Sequence, residues 1–170
     1  GANFQVVTEY NLPGTREFAP FGWSAQTNSA LYLGFTPPPN APPDGAGQFP
    51  PEMRFRVSLP ESAERVIVRD EQRSNLEVRL QWESQHPVTK RWRPLESISD
   101  ETEAFTREGA IVVEGPRRIA ATKLGKVADE ECYWLRCRLL GGQYPPGKTP
   151  VLDFIRPNTV AASSLETIQN

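Results

Sequence analysis

The chain reads as an all-β protein, an antiparallel β-sandwich of jelly-roll connectivity with long Pro/Gly-rich loops and little helix. Three observations predict it. Several short segments alternate apolar and polar residues with period two. Seventeen prolines and twelve glycines punctuate the sequence between those segments, a spacing that suits many turns better than a helical bundle. The third is the run Glu131-Cys132-Tyr133-Trp134-Leu135-Arg136-Cys137-Arg138-Leu139-Leu140, unbroken until Gly141-Gly142. Read with period two, Tyr133, Leu135, Cys137 and Leu139 point one way; Trp134, Arg136 and Arg138 point the other. That is a central strand with one dry face and one face of long, snorkelling stems.

Size and charge bound what surrounds this strand. A chain of 170 residues suits one domain with a substantial core. The expected organisation is an N-terminal arm over 1–29, the sandwich over 30–157 and a linker stump over 158–170. Gly1-Ala2-Asn3 lacks an initiator Met, which fits a segment of a longer polypeptide or a processed terminus. The net charge is −2 with acids and bases interspersed, so no long-range field recruits nucleic acid or an anionic bilayer. No apolar run approaches the roughly 20 residues of a membrane span, and no signal peptide opens the chain.

In order, Phe4-Gln5-Val6-Val7 has strand composition, and the segment through Phe18-Ala19-Pro20-Phe21-Gly22-Trp23 is apolar without a period. It reads as an arm packing on the sandwich edge. Ala30–Phe35 is a compact strand stopped by Pro37-Pro38-Pro39, which lack the amide hydrogens a ladder needs. Thr36–Pro51 reads as a long solvated loop of polyproline character. Met53, Phe55, Val57 and Leu59 then alternate with Arg54, Arg56 and Ser58. Pro60 followed by Glu61-Ser62-Ala63-Glu64 allows one helical turn, while Val66-Ile67-Val68 favours a strand, so Glu61–Asn75 stays open.

Leu76, Val78, Leu80 and Trp82 alternate with Glu77, Arg79, Gln81 and Glu83. Across a polar turn holding His86-Pro87, the segment Arg91–Leu95 returns, which places Trp82 and Trp92 in one hairpin. Ser99-Asp100-Glu101-Thr102-Glu103 has the pattern of a helix start, with room for one turn before Gly109. Ala110–Val113 is a short strand closed by Gly115-Pro116, and Arg117–Glu130 is a mixed-charge connection. After the central strand, Val151–Ile155 is the last strand, broken by Pro157.

Catalytic and metal chemistry find little purchase. There is no G-x-S-x-G, H-E-x-x-H or P-loop pattern. The acid pairs Asp100/Glu101 and Asp129/Glu130/Glu131 read as solvated strand ends, and His86 as an exposed turn residue. Cys132 and Cys137 fall on opposite faces of one strand, roughly 17 Å apart; a disulfide needs Cα atoms within about 7 Å, so they read as two reduced, half-buried thiols. No catalytic, cofactor or metal residues are expected.

The residues that remain are contacts. Trp82, Trp92 and Trp134 make either core filling or a sugar-stacking platform; Trp82 shares the apolar face of its strand, and Trp134 is expected to stack under Arg136 or Arg138. Arg54, Arg56, Arg79, Arg136 and Arg138 recur on polar faces. If their strands pair side by side, they form one basic face answered by Glu77 and Glu83, either solvated or a docking surface. Trp134, Arg136, Arg138, Arg54 and Arg56 are therefore the candidate glycan or partner contacts.

Several pieces recur in a familiar order: Phe18-Ala19-Pro20-Phe21-Gly22, Ala30–Phe35, Trp82-Glu83, Trp92-x-x-Leu95, Asp100-x-Thr102-x-x-Phe105-Thr106-x-x-Gly109, Tyr133-Trp134-Leu135-Arg136-x-Arg138 and Ile155-x-x-Asn158-Thr159-Val160. In this order the chain resembles a domain of the baseplate assembly protein family of contractile phage tails and tail-like injection systems. The resemblance implies a structural, non-enzymatic module with other baseplate or tail-like particle subunits as partners. It also implies a location in the cytoplasm during assembly and in the particle afterwards. A carbohydrate-binding module for a bacterial surface glycan is the alternative. The long proline-rich loop and the charged Glu61–Asn75 insertion depart from the family pattern.

Overall fold

The computed structural model describes residues 5–12, 14–64, 77–125 and 128–157. The strands run β1 (Ala30–Phe35), β2 (Glu52–Ser58), then, after the single helical turn α1 (Glu61–Glu64), β3 (Arg79–Gln85) and β4 (Trp92–Leu95). They continue as β5 (Ser97–Asp100), β6 (Gly109–Glu114), β7 (Ala121–Thr122), β8 (Cys132–Gly141) and β9 (Phe154–Pro157). They form two antiparallel sheets. One has the order β1-β8-β3-β4 with β7 also on β8; the other is β5-β6-β2-β9. The chain passes between sheets from β1 to β2, β2 to β3, β4 to β5, β6 to β7 and β8 to β9.

β8 is the spine of its sheet, as its alternation predicts. β1 lies along one side, from Ala30 opposite Arg138 to Phe35 opposite Tyr133. β3 and then β7 lie along the other. Tyr133, Leu135, Cys137 and Leu139 are each at most 3% exposed and face the opposing sheet. β2 supplies the matching layer, with Met53, Phe55 and Val57 buried between exposed Glu52, Arg54 and Arg56. The layers meet where the rings of Phe55 and Trp82 stack 5.0 Å apart and 4° from parallel. Burying surface of this kind yields about 25 cal/mol per Å², and the two aromatic faces add offset-stacking contacts.

Local differences from the sequence reading have physical causes. Residues 5–7 form no strand; they lead into a single 3-10 turn, Thr8–Tyr10. The arm then does two things. Asn11 pairs with the backbone of Ile155 through both side-chain atoms, at 2.7 and 2.9 Å, which covers part of the β9 edge that would otherwise present open groups. Phe18 exchanges backbone hydrogen bonds with Leu152, and both Phe18 and Phe21 sink into the core. The 36–51 loop is not wholly solvated either, because Phe49 packs edge-on against Phe35 and Tyr133.

The 117–130 connection holds β7 and two fully buried residues, Ile119 and Ala120. The last strand runs through Pro157 rather than stopping before it; as an edge strand it tolerates the missing amide hydrogen. The helix-start pattern at Asp100 gives instead a left-handed turn, with φ of +50°, +59° and +64° at Glu103, Ala104 and Phe105. Such a conformation costs roughly 1–2 kcal/mol per non-glycine residue. Asp100 holds it, its carboxylate accepting from the Thr102 N–H, the Thr102 hydroxyl and the Ala104 N–H. The buried Phe105 ring and the Tyr144 hydroxyl, which donates to the Ala104 carbonyl, fix it from the core side. Phe4, Val66-Ile67-Val68, Leu76 and the 158–170 tail lie outside the described residues.

Candidate functional site

The outer face of the β8 sheet carries most of the singled-out side chains. Its centre is Glu83, placed on β3 directly opposite Arg136 of β8. Arg136 Nε donates to Glu83 Oε2 at 2.5 Å. Arg138, two residues along the same face, donates from Nε to Oε2 at 3.2 Å and from Nη2 to Oε1 at 2.9 Å. Its Nη1 reaches Asn28 Oδ1. Only 6% of the Glu83 side chain is exposed, against 16% for Arg136 and 26% for Arg138. Burial pushes the Glu83 carboxyl up, but the hydrogen bonds and charges of Arg138 and Arg136 outweigh it, so it stays below the usual carboxylate range. The Arg138 guanidinium is in turn pushed up by its bond to Glu83.

Trp92 forms the roof. The Arg136 guanidinium lies 4.2 Å from its ring centroid, and Tyr32 of β1 meets it edge-on at 5.9 Å. A cation sandwiched between carboxylate and aromatic face is attracted by both. The expected stacking partner, Trp134, is elsewhere on this face. It lies over Gly34, where an added Cβ would come within 2.8 Å of its ring. Its indole N–H donates to the Thr122 carbonyl at 2.8 Å. Trp134 is 8% exposed and Trp82 is 2% exposed.

The single basic face does not form. Arg136, Arg138 and Arg79 belong to one sheet, whereas Arg54 and Arg56 project from β2 in the other. The Arg54 side chain makes no ion pair or hydrogen bond among the described residues. Arg56 approaches Glu108 at 4.0 Å with both side chains substantially exposed.

The acid pairs are occupied structurally or lie in solvent. Asp100 holds the left-handed turn, Glu101 Oε2 accepts from the Ala110 N–H, and Asp129, Glu130 and Glu131 are exposed. His86 is half-buried rather than freely exposed. Its Nδ1 lies within 3.3 Å of the Val88 and Thr89 N–H groups, which donate to it and tie the hairpin turn. Cys132 and Cys137 are unpaired; Cys137 is fully buried, which pushes its thiol well up and leaves it inert. Among the described residues no group of three His, Cys, Asp or Glu side chains is placed to hold a metal ion.

Among the described residues two openings are lined by side chains of both sheets. One, of about 310 Å³, has Val78, Leu80 and Trp82 as floor and Asp100 and Glu103 at its rim. The other, of about 540 Å³, lies between the β3–β4 hairpin and residues 114–118 and carries Arg93, Arg117 and Arg118. Sequence reading missed this second opening, and it missed Trp92 as the partner of Arg136. The alternation of Arg91-Trp92-Arg93 carried both signals, since it puts Trp92 on the outer face opposite Gln85 and Arg93 on the inner face opposite Ser84.

Chemically, the outer face is a poor reaction centre. A carboxylate clamped by two guanidiniums is a weak base, and its lone pairs are engaged. Comparison with protein-family models, with curated proteins and with solved structures finds no match.

Proposed function

We propose that this β-sandwich is a structural assembly module of a phage-tail-like baseplate protein. Its work is protein–protein contact, made first in the cytoplasm and then within the particle, and it catalyses nothing. The ordered motifs from Phe18 to Val160 support the baseplate assignment by resemblance. The observation that carries the structural reading over a glycan-binding one is the placement of Trp82, Trp92 and Trp134; the fourth tryptophan, Trp23, stands alone of the four in being 64% exposed, on the N-terminal arm. Trp82 is stacked on Phe55 in the core, Trp134 is hydrogen-bonded over Gly34, and Trp92 lies against the Arg136 guanidinium. A sugar platform needs ring faces open to solvent in a row; Trp82 and Trp134 are buried, and the Arg136 guanidinium lies over the ring of the half-buried Trp92.

The test has two arms. The tagged chain, mixed with the products of the genes flanking its own, is expected to co-elute with a baseplate or tail subunit by size exclusion. A bacterial glycan array is expected to show no saturable binding. Saturable glycan binding that disappears in Trp92→Ala, without co-elution, would replace the assembly reading by the carbohydrate one.

A further inference from the structure

The larger opening between the sheets has a composition that the fold does not itself use. Its rim carries Arg93 on the inner face of β4 and Arg117 and Arg118 just beyond β6. Among its lining residues the acid is Glu114. Arg118 makes one exposed pair with Asp44, at 3.3 Å. The side chains of Arg93 and Arg117 make no ion pair or hydrogen bond among the described residues. Desolvation first, and then the Arg93 charge, lower the pKa of the neighbouring His86. Between the guanidiniums lie apolar surfaces of Pro87, Pro116 and Val88, the last 80% exposed.

Exposed arginines beside acids are ordinary surface chemistry, as Arg107 with Glu103 illustrates at the other opening. The combination here differs: two guanidiniums with no ion pair among the described residues, those of Arg93 and Arg117, line one groove together with Pro87, Val88 and Pro116. An isolated anion would use the charges and waste the apolar strip. A chain that alternates carboxylates with aliphatic side chains would use both, because successive side chains of an extended segment alternate in direction.

We propose that the groove between the β3–β4 hairpin and residues 114–118 receives an extended acidic segment of a partner protein. Its carboxylates pair with Arg93 and Arg117, and an aliphatic side chain packs on Val88 and Pro116. This deepens the assembly reading, on which it rests, by giving the chemistry of one partner. Arginine is suited to the role through bidentate carboxylate recognition.

The test is an amide chemical-shift titration of the intact chain with a short capped peptide of alternating Glu and Val. The same titration is run with the Lys-Val counterpart and with inorganic phosphate. Shifts confined to residues 86–93 and 114–118 are expected with the acidic peptide alone. Affinity should fall up to about fivefold for each of Arg93→Gln and Arg117→Gln, the scale of an exposed charge pair, and should weaken with salt. Arg156→Gln, on the edge strand β9 and separated from β6 by β2, should leave binding unchanged.

Absence of binding, equal binding by both groove variants, or shifts scattered outside residues 86–93 and 114–118 would overturn the proposal. Phosphate competing as well as the peptide would reduce the groove to an adventitious anion site and overturn it too. The co-elution arm keeps the two readings apart. If Arg93→Gln/Arg117→Gln still co-elutes with the particle subunit as wild type does, the groove is not the contact and the assembly reading stands. If neither protein co-elutes, the assembly reading itself fails.

Discussion

Arg136/Arg138 and Arg54/Arg56 are the same pattern in sequence, an arginine pair on alternate positions of a strand whose other face is apolar. In the folded chain they have opposite fates. Arg136 and Arg138 face Glu83 across one strand gap, and Trp92 and Tyr32 close over them. Arg54 and Arg56 face Val112 and Ala110 across theirs, so their stems cover apolar side chains while their heads stay in water. The difference is set by the residue on the neighbouring strand. An arginine opposite a buried carboxylate becomes part of the structure; an arginine opposite an alanine or a valine remains surface.

The sharpest way to break this comparison is to remove the carboxylate. Glu83→Ala leaves two half-buried guanidiniums without a counter-charge, which typically costs about 3–5 kcal/mol. The denaturant midpoint should fall accordingly with an unchanged m-value. A loss no larger than that of a surface substitution would mean that the two arginine pairs are equivalent after all.

A second strain on the same face is steric. Gly34→Ala pushes a methyl against the Trp134 ring, which its bond to the Thr122 carbonyl holds in place. Overpacking of this sort costs about 1–3 kcal/mol. Near-ultraviolet circular dichroism should change with it, since the indole must move.

The third separates the pairs by pH. Hydrogen bonds and charges from Arg138 and Arg136 hold the folded pKa of Glu83 below the ordinary carboxylate value of 4.5, so its unfolded form binds a proton at higher pH than its folded form. The stabilisation is therefore complete above about pH 4.5 and is lost as pH falls through the lower folded value. Glu83→Gln should flatten that part of the acid limb in thermal melts. Arg54→Gln/Arg56→Gln should leave its shape alone.

How much of this was legible follows from the range of each signal. Side-chain direction is a local property of a strand. Met53, Phe55 and Val57 on β2 and Tyr133, Leu135, Cys137 and Leu139 on β8 could be placed from alternation alone, as could the opposite facing of Cys132 and Cys137. Which strands share a sheet is not local. The loop of residues 36–51 carries the chain across from β1 to β2, and nothing in it says that Arg54 and Arg136 end up in different layers. Asp100 shows a different ambiguity. An Asp here can accept from the amides two or three residues on and start a right-handed helix, or, as observed, from those two and four residues on and close a left-handed turn. Here burial of Phe105 decides for the turn. The arm was opaque because Phe18 and Phe21 are buried from an irregular backbone, where no period exists to read. Ile119 and Ala120 were hidden in the same way, inside a connection that charge alone made look solvated.

The smallest effect tests the other half of the comparison. Arg54→Ala/Arg56→Ala removes one long approach to Glu108 between well-exposed groups and two stems lying beside Val112 and Ala110. The ion-pair term is small because water screens both partners, and the expected change in unfolding free energy is within about 0.5 kcal/mol. Salt titration sharpens the reading: raising ionic strength should erase what difference there is, because exposed pairs lose their attraction within a Debye length of about 10 Å at 0.1 M. A loss of several kcal/mol that survives high salt would show that the stems, not the charges, seal β6. The far sheet would then be as dependent on its arginines as the near one, by packing in place of pairing.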